Sequence, residues 1–155
     1  MNNPAISYWQ ARTPILLGLL RLITAFLFMQ YGSAKLFAFP GPLSPDGSTF
    51  EAMSQMVLAG MLELIGGALL FLGIFTRPVA FILSGEMAFA YFMGHAANGF
   101  WPLLNQGVAA ILFCFIFLYF SAAGPGAFAL SNWWRRTHVT RIEGFTAHQE
   151  PLHHH

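Results

Sequence analysis

The amino-acid sequence predicts an all-α integral membrane protein, a four-helix transmembrane bundle. Three observations carry this prediction: apolar residue types make up 56% of the 155 residues, charged types only 8%, and the apolar residues lie in four long runs. A soluble domain carries about 25% charged residues, so lipid must cover much of this surface. Each run approaches the 20 or so mainly apolar residues that a spanning helix needs. The runs are continuous, whereas strands of a membrane barrel would alternate apolar and polar residues.

The predicted membrane helices are separated by turn-forming segments. They span about residues 14–39, 50–75, 78–97 and 102–123. The breaks are the proline-rich segment 40–48, the Arg77-Pro78 pair and the Asn98-Gly99 pair. Together the helices are predicted to form a single domain over residues 1–132. A polar cytoplasmic tail over 133–155 follows it, and its terminal histidines are interpreted as the remnant of a purification tag.

The distribution of arginine predicts the orientation of the bundle. Five arginines flank one side of the predicted helices: Arg12, Arg77, Arg135, Arg136 and Arg141. The 40–48 loop and the 98–102 turn, on the other side, contain neither arginine nor lysine. Because basic residues favour the cytoplasmic side, both termini are predicted to be cytoplasmic, in a bacterial inner membrane.

Three ionisable residues lie inside the predicted helices: Arg21, Glu63 and Glu86. Each would cost about 2.5–3.5 kcal/mol or more near the bilayer centre, so such residues face the bundle interior and need partners. At a rise of about 1.5 Å per residue the three lie at comparable depth. They are predicted to form a buried charge layer, in which the arginine pairs with both carboxylates. Such a layer would either serve function or simply fix the helix register.

A second group of polar residues lies nearer the predicted outer surface. They are predicted to line a ligand-binding pocket: Gln30, Lys35, His95, Asn98, Asn105 and Gln106. Glu63 is predicted to form the floor of this pocket. On an ideal helix His95 would point about 180° away from Glu86, unless Gly94 distorts the helix there. Read singly, His95 is more typical of a hydrogen-bonded residue near the interface than of a ligand. No residue is assigned a catalytic role.

Charge and cysteine content exclude several classes of function. The net charge of +1 offers no basic surface for nucleic acid. Cys114 is the only cysteine, which excludes an intrachain disulfide, a CxxC redox pair and a cysteine-based zinc site. No metal site is predicted.

Several short motifs follow one another in a recognisable order. They are Arg21, Gly32-Ser33-Ala34-Lys35-Leu36, Glu63-Leu64-Ile65-Gly66-Gly67, Leu72-Gly73, Thr76-Arg77, His95 and Gly124-Pro125-Gly126-Ala127-Phe128-Ala129-Leu130-Ser131. This order resembles the DoxX family, with its G-x-x-K-L, E-x-x-G-G, L-G…T-R and G-P-G-x-x-S-L-D motifs, over residues 15–132. The closing motif departs from the family pattern, because Asn132 follows Ser131 and no carboxylate ends it.

The resemblance implies a four-helix membrane protein and favours a link to quinone chemistry. The family is named for a subunit linked to quinol oxidation, and relatives include subunits that pass electrons from thiosulfate to quinone. The first interpretation is therefore a membrane subunit that binds a quinone or another small molecule in such a redox system. Quinone would be its non-covalent cofactor. Expected partners are membrane lipid, a redox-enzyme subunit and a second copy of the chain.

Two other interpretations stay open at this point. The chain could be a non-catalytic membrane partner or assembly factor, which suits its short loops and the lack of a nucleophilic constellation. It could also transport a small solute or protons, which suits ionisable residues inside the membrane.

Overall fold

The computed structural model describes residues 4–41 and 55–134. Within the described ranges four α-helices follow one another: α1 (Pro4–Phe37), α2 (Gln55–Leu72), α3 (Thr76–Ala90) and α4 (Val108–Ala123). A further helical stretch begins at Leu130 and continues to the end of the described range. A π-helical turn, Tyr91–His95, and a short 3₁₀ turn, Ala96–Asn98, extend α3. The described residues contain no strand, so the predicted all-α class is confirmed for them.

Three helical stretches of the described residues are long and apolar enough to cross a membrane. They are Ser7–Phe37, Gln55–Leu72 and Thr76–Asn98. α4 is also apolar, but its 16 residues extend only about 24 Å at 1.5 Å per residue. Four membrane crossings therefore stay a prediction. The 34 residues of α1 extend about 50 Å, well beyond the roughly 30 Å hydrocarbon core, so α1 protrudes from it.

The starts of α1 and α4 differ most from the predicted spans. α1 begins at Pro4 rather than near residue 14, and Pro14 lies inside it. α4 begins at Val108 rather than near residue 102. Gln106 has a left-handed backbone, with φ at 62°, which an α-helix cannot contain. The Asn105 side chain accepts a hydrogen bond from the Gly107 amide at 2.8 Å across this turn.

Some predicted features fall on residues that are not described. Most of the 40–48 loop and most of the 133–155 tail lie outside the described ranges, as do the three arginines beyond residue 134.

The helices pack as two antiparallel pairs. α1 packs along α2 and α3 along α4, while the pairs meet mainly through α2 and α3. At the α1–α2 seam a Cβ on Gly32 would lie 2.6 Å from the Leu64 amide nitrogen and 2.7 Å from the Gly60 carbonyl oxygen. Only glycine fits where two backbones touch in this way, as in the small-residue packing common in membranes.

The buried core occupies the end of the bundle that carries the α2–α3 turn, which we call the closed end. All four helices contribute to it: Ala25, Phe28, Leu70, Ala80, Leu83, Met87, Phe117 and Phe120. The Phe28 and Phe117 rings meet edge to face, with centroids 4.7 Å apart. Many other large apolar side chains, among them Leu58, Ile65 and Phe115, are exposed on the outside, as expected where lipid is the solvent.

Arg21 is completely buried at the closed end and donates hydrogen bonds to backbone carbonyls. Its Nε donates to the Pro125 carbonyl at 2.9 Å. Nη1 donates to the carbonyls of Leu70 and Phe71 in the last turn of α2. Nη2 donates to the Ala127 carbonyl at 3.3 Å and the Phe128 carbonyl at 3.1 Å. The five guanidinium donors thus reach five carbonyl oxygens, which join the end of α2 to the segment that follows α4.

A second arginine caps the C-terminal end of α4. Arg77, at the start of α3, donates through Nη1 to the carbonyls of Ser121 and Ala122 in the last turn of α4. A cation is favourable at a helix C-terminus, where carbonyls lack intrahelical partners. Beyond α4 the Asn132 amide donates to the Gly126 carbonyl at 2.8 Å. The position after the closing family-like motif therefore has a structural role in this chain.

Arg21→Leu is expected to destabilise the protein by about 3 kcal/mol or more, because buried carbonyls lose their donors. Arg21→Lys should recover little, since an ammonium has three donors on one point and cannot span five acceptors. Thermal unfolding in detergent measures the loss, with Arg12→Leu on the exposed part of α1 as the matched control.

The same measurement distinguishes an Arg21 that stabilises backbone carbonyls from one that stabilises the two carboxylates by ion pairing. Adding Glu63→Gln and Glu86→Gln to Arg21→Leu should restore no stability, and the triple variant should lose further whatever the two glutamine substitutions cost on their own, because Glu63→Gln breaks the pair with Lys35. Recovery of stability in the triple variant would show that the carboxylates, not the carbonyls, are what Arg21 stabilises.

Candidate functional site

A cavity of about 950 Å³ lies at the end of the bundle opposite the closed end. α1, α2, α3 with its π-helical turn, and the start of α4 supply its walls. Most of the wall is apolar. Five polar side chains of particular interest line it: Lys35, Glu63, Glu86, His95 and Gln106.

One ion pair forms the floor of the cavity. The Lys35 ammonium lies 2.5 Å from Glu63 Oε1, and the two side chains are 12% and 2% exposed. The close α1–α2 seam brings them together, since a Cβ on Gly60 would lie 3.2 Å from the Lys35 Cβ. Glu63 Oε2 is buried and has no hydrogen-bond partner among the described residues. This oxygen therefore has unmet hydrogen-bonding capacity.

Glu86 approaches the same cavity from α3. Both of its carboxylate oxygens are buried, and neither has a hydrogen-bond partner in the described part of the chain. With Lys35 and Glu63 it forms a group of two carboxylates and one ammonium. Unpaired carboxylate oxygens in a low-dielectric site are costly unless a donor or a cation meets them. The cavity is thus short of hydrogen-bond donors.

The π-helical turn explains how His95 reaches this cavity. A π-helical turn carries an extra residue relative to an α-helical one, so it changes the direction in which later side chains point. Tyr91–His95 adopts this form, and both Glu86 and His95 line the cavity. The His95 Nδ1 lies 3.0 Å from the Asn105 carbonyl oxygen, which ties the turn to the segment before α4.

The predicted outer pocket is brought together in part. Lys35, Glu63, His95 and Gln106 line the cavity, and the other three predicted residues do not. Asn98 donates to the Gly94 carbonyl at 3.1 Å within its own turn. Asn105 is buried and donates to the Gly99 carbonyl at 2.8 Å. Gln30 is half-buried on α1, away from the cavity.

The structure corrects the predicted charge layer. Glu63 and Glu86 do share one cavity, but the cation beside them is Lys35, because all of the donors of Arg21 point to carbonyls. Arg21 and Lys35 lie about 21 Å apart along α1 at 1.5 Å per residue. The depth estimate from sequence placed Lys35 in the outer pocket and paired Arg21 with the carboxylates. The cation that pairs with Glu63 is Lys35 instead.

Sequence reasoning missed the aromatic wall of the cavity. Phe28, Tyr31 and Phe113 line it together. The Phe113 ring lies 5.2 Å from that of Phe28 and 5.8 Å from that of Tyr31, between centroids. Phenylalanine is so frequent in this chain that composition marks none of these rings as special. The available signal was that Phe28 shares the Lys35 face of α1.

The arrangement suits binding of an amphipathic molecule. Aromatic rings can pack on a planar head group, and the carboxylates and the ammonium can exchange hydrogen bonds with its polar atoms. Among the described residues no group of three or more His, Cys, Asp or Glu side chains is placed to hold a metal ion.

Fold and cavity define a helical membrane protein with an internal polar site. The chain belongs to the DoxX family, whose model matches residues 16–96, just over half of its length. That stretch contains all of Lys35, Glu63, Glu86 and His95.

Two curated proteins are similar to this chain. One, from Haemophilus influenzae, is named only as an uncharacterized protein; it is 46% identical over 123 residues, which cover 77% of this chain and 90% of that protein. The other is the inner membrane protein YphA of Escherichia coli, 27% identical over 144 residues, covering 85% and 99%. No solved structure matches the chain significantly.

Lys35→Met is expected to destabilise the protein by about 3 kcal/mol, because Glu63 is then a buried charge without its partner. Adding Glu63→Gln should restore most of that loss, since no unpaired charge remains. Thermal unfolding of the two single variants and the double variant measures the coupling. Additive losses would show that the 2.5 Å pair contributes no coupling energy.

Proposed function

We propose that this DoxX-family protein is a small-molecule-binding membrane subunit of a redox system, and that its ligand is a quinone or quinol. The observation that supports the proposal best is that Glu63 and Glu86 line a cavity large enough for a substituted aromatic ring and carry carboxylate oxygens without a hydrogen-bond partner among the described residues. A quinol has two hydroxyl donors for such acceptors. In the quinone form, the Lys35 ammonium and the Gln106 amide offer donors to the ring carbonyls.

The proposal divides the reaction between this chain and a partner. Quinone takes up two electrons and two protons to become quinol. Glu63, Glu86 and His95 are groups that can hold or pass on those protons. In this proposal a partner subunit supplies the electrons, and the one cysteine of the chain cannot by itself ligate an iron–sulfur cluster. A second copy of the chain is another candidate partner in the membrane.

We further propose a bacterial inner membrane location with both termini in the cytoplasm. The name of the Escherichia coli relative supports the location. Arg12 and Arg77 support the orientation, since both lie towards the closed end. Lys35 carries little weight for the other side, because it is paired with Glu63 inside the bundle. In this orientation the cavity lies in the outer half of the membrane.

A short-tailed quinone analogue, tested in its oxidised and reduced forms, should raise the unfolding midpoint of the wild-type protein. At a ligand concentration of 100 Kd the gain is about 2.7 kcal/mol. Glu86→Gln should keep the stability of the free protein, since its oxygens have no partner to lose among the described residues, and should reduce the gain. Glu63→Gln should also reduce it.

Leu112→Phe, on the outer surface of α4, is the control and should bind as the wild type does. A wild-type midpoint that saturating analogue does not move would remove the quinone proposal. It would leave a non-catalytic membrane partner as the better interpretation.

Single cysteines test the orientation, in a background where Cys114 is replaced by alanine. Cysteines at Ser44 and Phe100 should react with an impermeant thiol reagent added outside intact cells. Cysteines at Ala11 and Thr140 should react only after the cells are opened. The reverse labelling pattern would contradict the proposed topology.

A further inference from the structure

The cavity has a side opening between α2 and α3. The two helices touch near the closed end, where a Cβ on Gly66 would lie 2.8 Å from the Leu83 side chain. On this side of the bundle, residues from both helices and the π-helical turn line the cavity and are nevertheless 44–65% exposed: Leu58 and Leu62 on α2, Ile82 and Phe89 on α3, and Met93 in the π-helical turn. A side chain that lines an internal cavity and is also half exposed lies at its opening.

The opening runs along the helices rather than at their ends. Ile82, Gly85 and Phe89 follow one another at i, i+3 and i+7, which places them on a single face of α3. α2 and α3 both lie within stretches apolar enough to cross a membrane. The exposed rim is itself apolar, so lipid rather than water meets it.

Gly85 leaves this opening clear beside the polar site. It lines the cavity, and a Cβ added to it would meet no atom within 4 Å. Its chain neighbour is Glu86, whose carboxylate oxygens lack partners in the described residues. A molecule that crosses the rim at Gly85 therefore enters the cavity one residue along α3 from Glu86, which lines the same cavity.

We propose that the gap between α2 and α3 is a lateral portal for a ligand dissolved in the bilayer. The ligand is an amphiphile: its polar head group lies against Glu63 and Glu86, and its apolar tail passes over Gly85 into lipid. Leu58 and Leu62 contact the tail on one side, and Ile82 and Phe89 on the other. The inference rests on the proposed function and adds to it the entry route and the apolar half of the ligand.

The test compares two quinone analogues, one with a decyl tail and one with the head group alone, in lipid nanodiscs. Gly85→Phe places a ring in the portal, and Gly85→Ala is its matched control, because it adds the same Cβ and leaves the gap open. Gly85→Phe should weaken binding of the tailed analogue about tenfold, the equivalent of about two buried methylene groups. Gly85→Ala should bind it as the wild type does, and the head-group analogue should bind all three proteins alike. Comparison within one lipid mixture cancels the partitioning of the tail.

Two outcomes overturn the portal. Tailed-analogue binding unchanged by Gly85→Phe would show that the tail takes another path. Equal weakening of both analogues would show that position 85 faces the head-group site instead. Failure of both analogues to bind the wild-type protein would instead overturn the proposed function, and the portal with it.

A second variant covers the case in which Gly85→Phe does not fold. Leu62→Trp places a bulkier side chain on the α2 side of the portal and narrows it. Leu112→Trp on α4 is its control, at a comparably exposed position away from the cavity. Leu62→Trp should weaken only the tailed analogue, and Leu112→Trp neither. Equal behaviour of these two variants would overturn the portal.

Discussion

In the bilayer every backbone polar group has to find its partner inside the protein, and Arg21 meets that constraint at the closed end of the bundle. α2 ends there, and the chain after α4 folds back over the same place, so several carbonyls would otherwise lack donors. One guanidinium supplies all five hydrogen bonds. The cost of burying a charge is thus balanced by backbone acceptors rather than by an acid.

The hydrogen bonding of Arg21 also affects the charge balance at the cavity end of the bundle. Because the arginine is fully occupied, the two buried carboxylates have only Lys35 to balance them, and the Glu86 oxygens keep no partner among the described residues. The bundle is consequently asymmetric. Aromatic packing and arginine-capped helix ends seal one end, while the other end encloses a polar cavity with unmet hydrogen-bonding capacity. An end of this kind suits binding better than stability.

The fold class was predictable because it depends on summed composition and run length, which irregular details do not disturb. The polar cavity was half predictable: Lys35, Glu63, Glu86 and His95 were recognisable as costly residues in apolar runs. The partner of Arg21 was not, because every residue carries a carbonyl and sequence does not mark which ones lack donors. Asn98 and Asn105 misled for a related reason, since their side chains complete local turns instead of facing a ligand.

The π-helical turn makes the position of His95 depend on chain length as well as on residue type. A π-helical turn amounts to one residue inserted into an α-helix. Loss of any single residue between Tyr91 and Gly94 would let α3 continue regularly and rotate the imidazole by about 100° per residue, while Glu86 stayed where it is. Relatives that differ by one insertion or deletion here would therefore share the carboxylates of the cavity and differ in whether a histidine joins them.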